Sequence, residues 1–462
     1  MKRFLTIVFS ILLSAVSVFA ASPTGTLPIV YINTSNNVAI SSKETYVAGS
    51  LYIDPRLSEY AALGSSSNPV AAQFKGRGNY TWTGFDKKPY KIKFDVKQTV
   101  LGMPNNRHWC LLACADDYLG FLKMPAGFIV SEAVGLRWTP RQVPVELVLN
   151  GSYKGLYFLT EHVRIAGNRV KITEQEDNAT DSVSGGWLVE IDNYASDGNI
   201  EFDEGNGQHV MVSLKEPEVL SSQQRNYIEQ QLNGLNNALY GNSSAKLWQM
   251  LDVDEAAKYY LVQEIMEDCE SYHGSCFLYK DRDRNGKVDK WKFGPVWDFG
   301  NAYDRYKYNY TEAFIYVNPS FEQYWIGQLA TWPEFQKAVK EQWWIYYHEH
   351  KDQVRADIGS YAALLKYAAK NDADLWKNSQ NYCNGQGDNS DMEEKLSKFY
   401  RRYDWRIQWL YSQWGEGTRP ATWDVGQTQE KPSLGRKVLH DGHILIECNG
   451  QFYNLLGQPV SH

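Results

Sequence analysis

Apolar and polar positions change their period near the middle of the chain. In the first half they alternate in short runs. Leu27-Pro28-Ile29-Val30-Tyr31-Ile32 is followed by Ser/Asn/Gly turns, and residues 70–95 and 143–161 read the same way. Val145, Leu147 and Leu149 alternate up to the hairpin-type turn Asn150-Gly151, after which Leu156-Tyr157-Phe158-Leu159 returns as a buried strand. Gly186-Trp187-Leu188-Val189-Glu190-Ile191-Asp192 predicts one more strand.

Beyond residue 220 the period becomes helical. Ser221-x-x-Gln224 forms a capping box, Ile228, Leu232, Leu235 and Leu239 share one face, and Gly241 is placed to close the helix. A second helix starts at Asp252, with Glu255 three residues on, and carries Ala257, Tyr260, Leu261 and Ile265. Residues 331–370 predict one or two further long helices, and 276–299 a strand pair between helices. The pattern predicts an α+β fold over roughly 25–415, bilobal, with a strand-rich N-terminal lobe and a helical C-terminal lobe. Residues 22–69 form a strand-rich N-terminal segment, 70–415 the main domain and 416–434 a linker. Residues 435–462 form a small C-terminal β tail, too short for a core of its own.

The first residues indicate a compartment. Lys2 and Arg3, the apolar run Phe4 to Val18 and the small-residue site at Ala20 or Ala21 predict a secretory signal peptide over 1–21. No other stretch approaches the ~20 apolar residues of a spanning helix, so the mature chain is expected to be exported, in the periplasm, at the cell surface or outside the cell. A formal charge of −7 over 462 residues disfavours broad nucleic-acid binding. Sixteen Trp, 31 Tyr and 18 Phe form a content typical of chains that handle sugars or nucleotides, whose flat faces stack on rings. Of the six cysteines, Cys110/Cys114 and Cys269/Cys276 are spaced to pair or to remain buried thiols, and none has a partner at zinc spacing.

Three constellations carry candidate chemistry. The first is Phe74-Lys75-Gly76-Arg77-Gly78-Asn79-Tyr80-Thr81-Trp82 with Lys87-Lys88-Pro89-Tyr90-Lys91-Ile92-Lys93-Phe94. A glycine-bearing loop admits phosphate oxygens to backbone N–H groups, and basic side chains neutralise them. Tyr90, Ile92 and Phe94 share one strand face, leaving Lys91 and Lys93 on the other; a turn followed by a solvated basic strand gives the same pattern. The second is Gly294-Pro295-Val296-Trp297-Asp298-Phe299-Gly300, an Asp on a turn after a strand, suited to holding Mg²⁺ against nucleotide phosphates. The third, Glu264 to Ser275, carries Glu267, Asp268 and Glu270 out of a helix just before a hairpin, where carboxylates bind metal or accept a hydroxyl proton; a solvated acidic helix end is the alternative. Asp281-x-Asp283-x-Asn285-Gly286-x-x-Asp289 imitates half a calcium loop, but Lys292 stands where the bidentate Glu belongs, and a hairpin turn at Asn285-Gly286 fits better.

In order along residues 70–415, these pieces resemble the CotH (spore-coat protein H) kinase family, of the exported Bacteroidetes type. The carriers are Lys75 to Trp82; Lys88 to Lys93; Leu101-Gly102-Met103 with Trp109; Leu149-Asn150-Gly151-Ser152-Tyr153-Lys154-Gly155-Leu156-Tyr157 with Glu161; Gly185-Gly186-Trp187; and Gly294 to Phe299. The resemblance implies an atypical protein-kinase-like fold and transfer of a phosphoryl group from ATP, with Mg²⁺ or Mn²⁺, to Ser hydroxyls of a secreted or surface protein. It implies Asp298 as the metal-binding Asp and Lys93 as the phosphate lysine, with Lys88 in reserve, Arg77 in the phosphate loop and Glu161 near the nucleotide. The family usually carries Asn-x-Asp before the hairpin, where this chain has Asp268-Cys269-Glu270. Glu270 therefore takes the catalytic position, with Asp268 beside it and Glu270 as second metal-binding acid. The usual Arg-Asn pair after Leu-Ala-Asn-x-x-Asp is replaced by Asp116-Asp117-Tyr118-Leu119-Gly120-Phe121-Leu122-Lys123. The alternative is a catalytically weak, kinase-like binding protein that recognises a surface polysaccharide or a protein through its aromatic side chains. A glycosidase ranks last, because no further carboxylate pair stands out. The C-terminal tail is similar to the sorting tails of exported Bacteroidetes proteins.

Overall fold

The structure is a computed structural model that describes residues 22–192, 200–203, 209–304, 312–317 and 324–421, and the backbone of four strands between 436 and 460. The signal-peptide reading (1–21) and most of the linker (416–434) lie outside the described residues.

The alternating first half closes on itself. Strands β1 (Ile29–Thr34), β2 (Val47–Asp54), β3 (Val70–Gly76), β4 (Tyr90–Val100), β5 (Met103–Leu112), β6 (Gln142–Leu149) and β7 (Ser152–Glu161) form a barrel in the order β1-β2-β3-β4-β5-β7-β6. The ring is completed where β1 pairs with β6 in parallel, Ile29 opposite Glu146. Alternation places Tyr90, Ile92 and Phe94 inside with Phe74, Trp109, Val145, Leu147 and Leu159, so side chains fill a small barrel rather than leaving a pore. The strand-rich first half thus forms a closed barrel. Pairing between β1 and β6 is invisible to a local pattern, since both strands read only as half-buried.

A second sheet, ordered β12-β11-β8-β10-β9, contains β8 (Trp187–Ile191), β9 (Ile200–Asp203), β10 (His209–Glu216), β11 (Cys276–Lys280) and β12 (Lys292–Phe293). Both strands and helices are present, as the sequence predicts. Besides the single turn α1 (Tyr80–Thr83), the helices include α2 (Lys123–Val134), α3 (Ser222–Leu239), α4 (Ser244–Met250), α5 (Val253–Met266), α6 (Tyr324–Leu329), α7 (Pro333–Ile345), α8 (Lys351–Trp376) and α9 (Met392–Trp414). The Ser221 capping box forms with both of its hydrogen bonds, and Asp252 caps α5 by accepting from the Glu255 N–H. Helix α5 is buried on nearly every face, as suits a central helix. A π-helical segment, Tyr346–His350, links α7 to α8.

Barrel and helices are locked together by one buried ion pair. Lys87 Nζ lies 2.7 Å from Asp372 of α8, with side chains 1% and 0% exposed. Asp372 also accepts from the Leu156 N–H and the Tyr382 hydroxyl, each at 2.7 Å. Gly155 makes room for it: a Cβ there would stand 2.1 Å from the carboxylate.

The cysteine pairings do not occur. Cys110, Cys114, Cys269, Cys276 and Cys383 are free thiols, four of them buried; the Cys448 side chain lies outside the described residues. The calcium-like stretch is a hairpin, with Asn285 and Gly286 both left-handed (φ 54 and 71), as a type I′ turn requires. Lys280 and Lys292 pair with Asp283 and Asp289, so ammonium groups neutralise the loop's acids. The tail folds as four antiparallel strands, β13 (Arg436–His440), β14 (His443–Cys448), β15 (Gln451–Tyr453) and β16 (Pro459–Val460). Among the described residues no helix is long and apolar enough to cross a membrane.

Candidate active-site cleft

A cleft of about 750 Å³ opens between the outer face of β3–β5 and the segments that follow α5 and β12, with residues of β8 and β10 also lining it. The barrel wall is basic. Lys75 and Lys91 are register partners on β3 and β4, and both line the cleft with Arg77 at the strand end. Burial, and then the charge of Lys75, hold Lys91 below the usual lysine range, against opposing effects of Cys110 and Glu218.

The lysines of the sequence reading are placed differently. Lys91 and Lys93 do share the outward face of β4, but Lys91 and not Lys93 lines the cleft. Lys93 lies beside the Tyr46 ring, 5.7 Å from its centroid. Lys88 donates to the Trp82 carbonyl at 2.6 Å and covers the Trp82 ring, so it staples α1 instead of facing the cleft. Glu161 is fully buried at the end of β7. It accepts from the Arg141 N–H at 3.0 Å and faces Arg169, whose guanidinium covers the Trp109 ring. Strand β7 runs into the barrel wall there, which takes the carboxylate away from the cleft.

Arg77 lines the cleft with its guanidinium over Trp297. Asp298, next in sequence, has a left-handed backbone (φ 58), an arrangement Asp tolerates better than most residues. Helix α2 fixes this turn. Phe299 packs edge-on to Phe128 and over Gly127, where a Cβ would meet its ring at 2.1 Å. Lys123, wholly buried, donates to the Gly300 carbonyl and to Asp304, each at 2.8 Å. Asp117 in turn accepts from the N–H groups of Leu119 and Lys123 at the start of α2.

The wall opposite the barrel is acidic. A Cβ on Gly300 would sit 2.7 Å from Asp116 Oδ2 and 3.3 Å from Asp298 Oδ1, so these two carboxylates converge on one glycine. Burial first, and Asp298 second, push Asp116 up to about 6. Glu267 ends α5 in a left-handed conformation, after which Asp268 is buried and Glu270 emerges with 32% of its side chain exposed. Glu270 accepts a hydrogen bond from Asn301 Nδ2. Neither Asp268 oxygen makes a well-formed hydrogen bond; burial, then Glu270 and Asp298, push its carboxyl far above the usual range. Glu190 and Asp192 share Lys215, at 2.6 and 3.6 Å.

The sequence therefore brings Asp298, Glu270, Asp268 and Arg77 to one place, and leaves out Lys93, Lys88 and Glu161. It assigned no individual role to Lys75 or Lys91, although both belong to its first constellation, and none to Asp116. Among the described residues no three Asp, Glu, His or Cys side chains are spaced to hold a metal ion by themselves. Mg²⁺ does not require such a cage: it commonly takes one or two carboxylates and completes its shell with water and phosphate oxygens. The adjacent carboxylates of Asp298 and Asp116, beside an open cleft with a basic wall, suit that division of ligands.

A basic strand face set against an Asp-Phe-Gly turn is the layout of a kinase-like phosphate-handling protein. The family model described as CotH kinase protein matches residues 73–409, well over half of the chain, and the protein belongs to the CotH kinase family. No curated protein matches it.

Proposed function

We propose that this is an exported protein kinase that transfers a phosphoryl group from ATP to Ser hydroxyls of a secreted or surface protein. The observation that carries the reading is the opposition, across one cleft, of Lys75, Lys91 and Arg77 to Asp298, Asp116 and Glu270. Phosphoryl transfer asks chiefly for positioning and charge neutralisation, which two walls of opposite sign supply. In this reading the barrel is the nucleotide-side lobe and the helical half the acceptor-side lobe. Lys91 takes the phosphate role first assigned to Lys93, and Arg77 binds a terminal phosphate oxygen. Asp298, with Asp116, would hold Mg²⁺ or Mn²⁺; the bound ion neutralises phosphate charge. Glu270 accepts the Ser proton and is oriented by Asn301. Asp268 lies buried behind Glu270, and burial, then Glu270 and Asp298, raise its carboxyl well above the usual range.

One observation favours a second reading, a kinase-like binding protein with weak or no catalysis. Glu270 stands where the family usually has Asp, and its extra methylene displaces the carboxylate by about an ångström, a shift that costs on the order of 100-fold when uncompensated.

The deciding experiment is ATP binding and autophosphorylation of the purified mature chain with Mg²⁺ or Mn²⁺, beside Asp298→Ala and Glu270→Ala. Label incorporation abolished by both substitutions supports the kinase. Nucleotide binding without transfer supports the binding protein. Absence of nucleotide binding under either metal overturns the kinase and redirects the search to glycans.

A further inference from the structure

We infer that a groove on the helical half, between the start of α8 and the face of α9 that carries Asp404, Gln408 and Tyr411, binds a neutral glycan chain. None of these residues lines the Asp298 cleft, so the site stands apart from the nucleotide reading.

The π-helical segment builds the groove. Through Tyr346–His350 the helix widens, and the Lys351 N–H donates to the Tyr346 carbonyl five residues back. Single π turns recur at functional sites, and this one sends two neighbouring tyrosines to different places. Tyr346 is buried, its hydroxyl 2.6 Å from that of Tyr403. Tyr403 donates to the Lys351 carbonyl at 3.1 Å, so it accepts from Tyr346 and both hydroxyls are used. Tyr347 instead faces Tyr411 of α9, with centroids 5.1 Å apart and rings tilted by 33°. Tyr411 is 39% exposed, an open aromatic face at the mouth of a cavity of about 360 Å³. The aromatic surface continues past Tyr347 through His348 to Trp344, at 5.3 and 4.7 Å between centroids. A row of rings suits a chain of sugar units better than a single one.

The polar side chains are set before any ligand arrives. Asp404, Gln408 and Tyr411 follow the i, i+4, i+7 spacing of one helix face. Arg355 Nε and Nη2 donate to Asp404 at 3.0 and 3.2 Å, and the guanidinium lies 3.7 Å from the Tyr400 centroid. Lys351 meets Asp352 at 3.0 Å. Two cations and two carboxylates cancel, which leaves no net attraction for a charged polymer. Each pair still keeps unused N–H donors and carboxylate lone pairs, so it can both give to and take from a hydroxyl. A sugar ring offers the matching surface. Its C–H face packs on an aromatic ring, and its rim of hydroxyls both donates and accepts. A protein partner fits less well, because a stable interface needs about 800 Å² from each side, whereas this cavity has the size of a small-ligand site.

The test is affinity electrophoresis of the purified mature chain through native gels carrying hydroxyethyl cellulose, xylan, mannan or dextran, with dextran sulfate as the charge control. ATP titration and circular dichroism accompany each variant. At least one neutral polysaccharide should retard the wild type. Tyr411→Ala should weaken that retardation about tenfold, the size of one lost aromatic anchor, with ATP affinity unchanged. Tyr411→Phe, which keeps the ring, should retain most of it, and Asp298→Ala all of it. Should Tyr411→Ala fail to fold, Gln408→Ala, on the same face, gives the comparison through a lost amide. Absence of retardation in every neutral gel overturns the site, as does retardation by dextran sulfate alone. Retardation that persists undiminished in both Tyr411→Ala and Gln408→Ala also overturns it, since the glycan would then sit elsewhere. Failure of ATP to bind touches only the kinase reading and leaves this outcome to be read from the gels.

Discussion

The guanidinium of Arg77 lies over the indole of Trp297, 5.5 Å from its centroid, so the glycine loop of the barrel touches the turn that carries Asp298. The cleft is thereby pinned at the Asp298 turn by a contact that also keeps the Arg77 charge beside the acidic wall. A cation–π contact of this kind contributes about 0.5–2 kcal/mol, more as water is excluded.

Arg77→Ala should therefore remove both a phosphate charge and the pin. ATP affinity is expected to fall by an order of magnitude or more, while Arg77→Lys, which keeps the charge but not the planar fork, recovers only part of it. Calorimetric Kd values for the two variants check this. Equal recovery by Lys would show that charge alone matters and that the Trp297 contact is incidental.

Glu270→Gln keeps the shape and the Asn301 neighbour but removes proton-accepting ability. Phosphate transfer should fall about 10²–10⁴-fold, the usual worth of a general base, with ATP affinity nearly unchanged. Single-turnover transfer measured beside ATP titration separates the two. A parallel loss of ATP binding would move Glu270 from proton acceptor to metal ligand.

Much of this site was legible because its residues lie on elements with strong local signatures. The Asp298 turn follows a strand pair joined by an Asn285-Gly286 hairpin, and Glu270 follows a helix whose cap, Asp252, is explicit in the sequence. The choice between Lys91 and Lys93 was not legible. Alternation gives both the same outward face, and only the position of the opposite wall, set by β8, β10 and the Asp298 turn, decides which one it covers. Glu161, placed near the nucleotide only by the resemblance, closes β7 and is buried facing Arg169, whose guanidinium covers Trp109. Asp116 carries no local signature at all. Its place beside Asp298 emerges only through Gly300, which the folded chain sets against both carboxylates.

Lys87 tests the joint between barrel and helices. Its ammonium donates to the carbonyls of Ala113 and Leu156 as well as meeting Asp372. Lys87→Ala leaves the Asp372 carboxylate buried without its cation, for which about 3–5 kcal/mol of destabilisation is expected. Urea unfolding of wild type and variant measures it. A loss below about 1 kcal/mol would mean that the Leu156 N–H and Tyr382 hydroxyl suffice to hold the carboxylate.

His108 gives the chain a predictable acid sensitivity. Its folded-state value is held down to about 3, chiefly by burial and then by Arg164, Lys91 and Lys93, against an ordinary value of 6.5. Between these values the unfolded chain binds a proton that the native barrel refuses. The contribution of this group to stability is therefore complete above about pH 6.5 and is lost progressively as pH falls toward 3. Removing the imidazole removes the difference. His108→Leu should show a smaller drop in urea midpoint than the wild type when the buffer is taken from about pH 7 to about pH 4.5, inside that window. The comparison is between the two slopes, so carboxylates common to both proteins cancel. Identical slopes would mean that His108 gains a proton in the folded state as readily as in the unfolded chain, and would overturn the prediction.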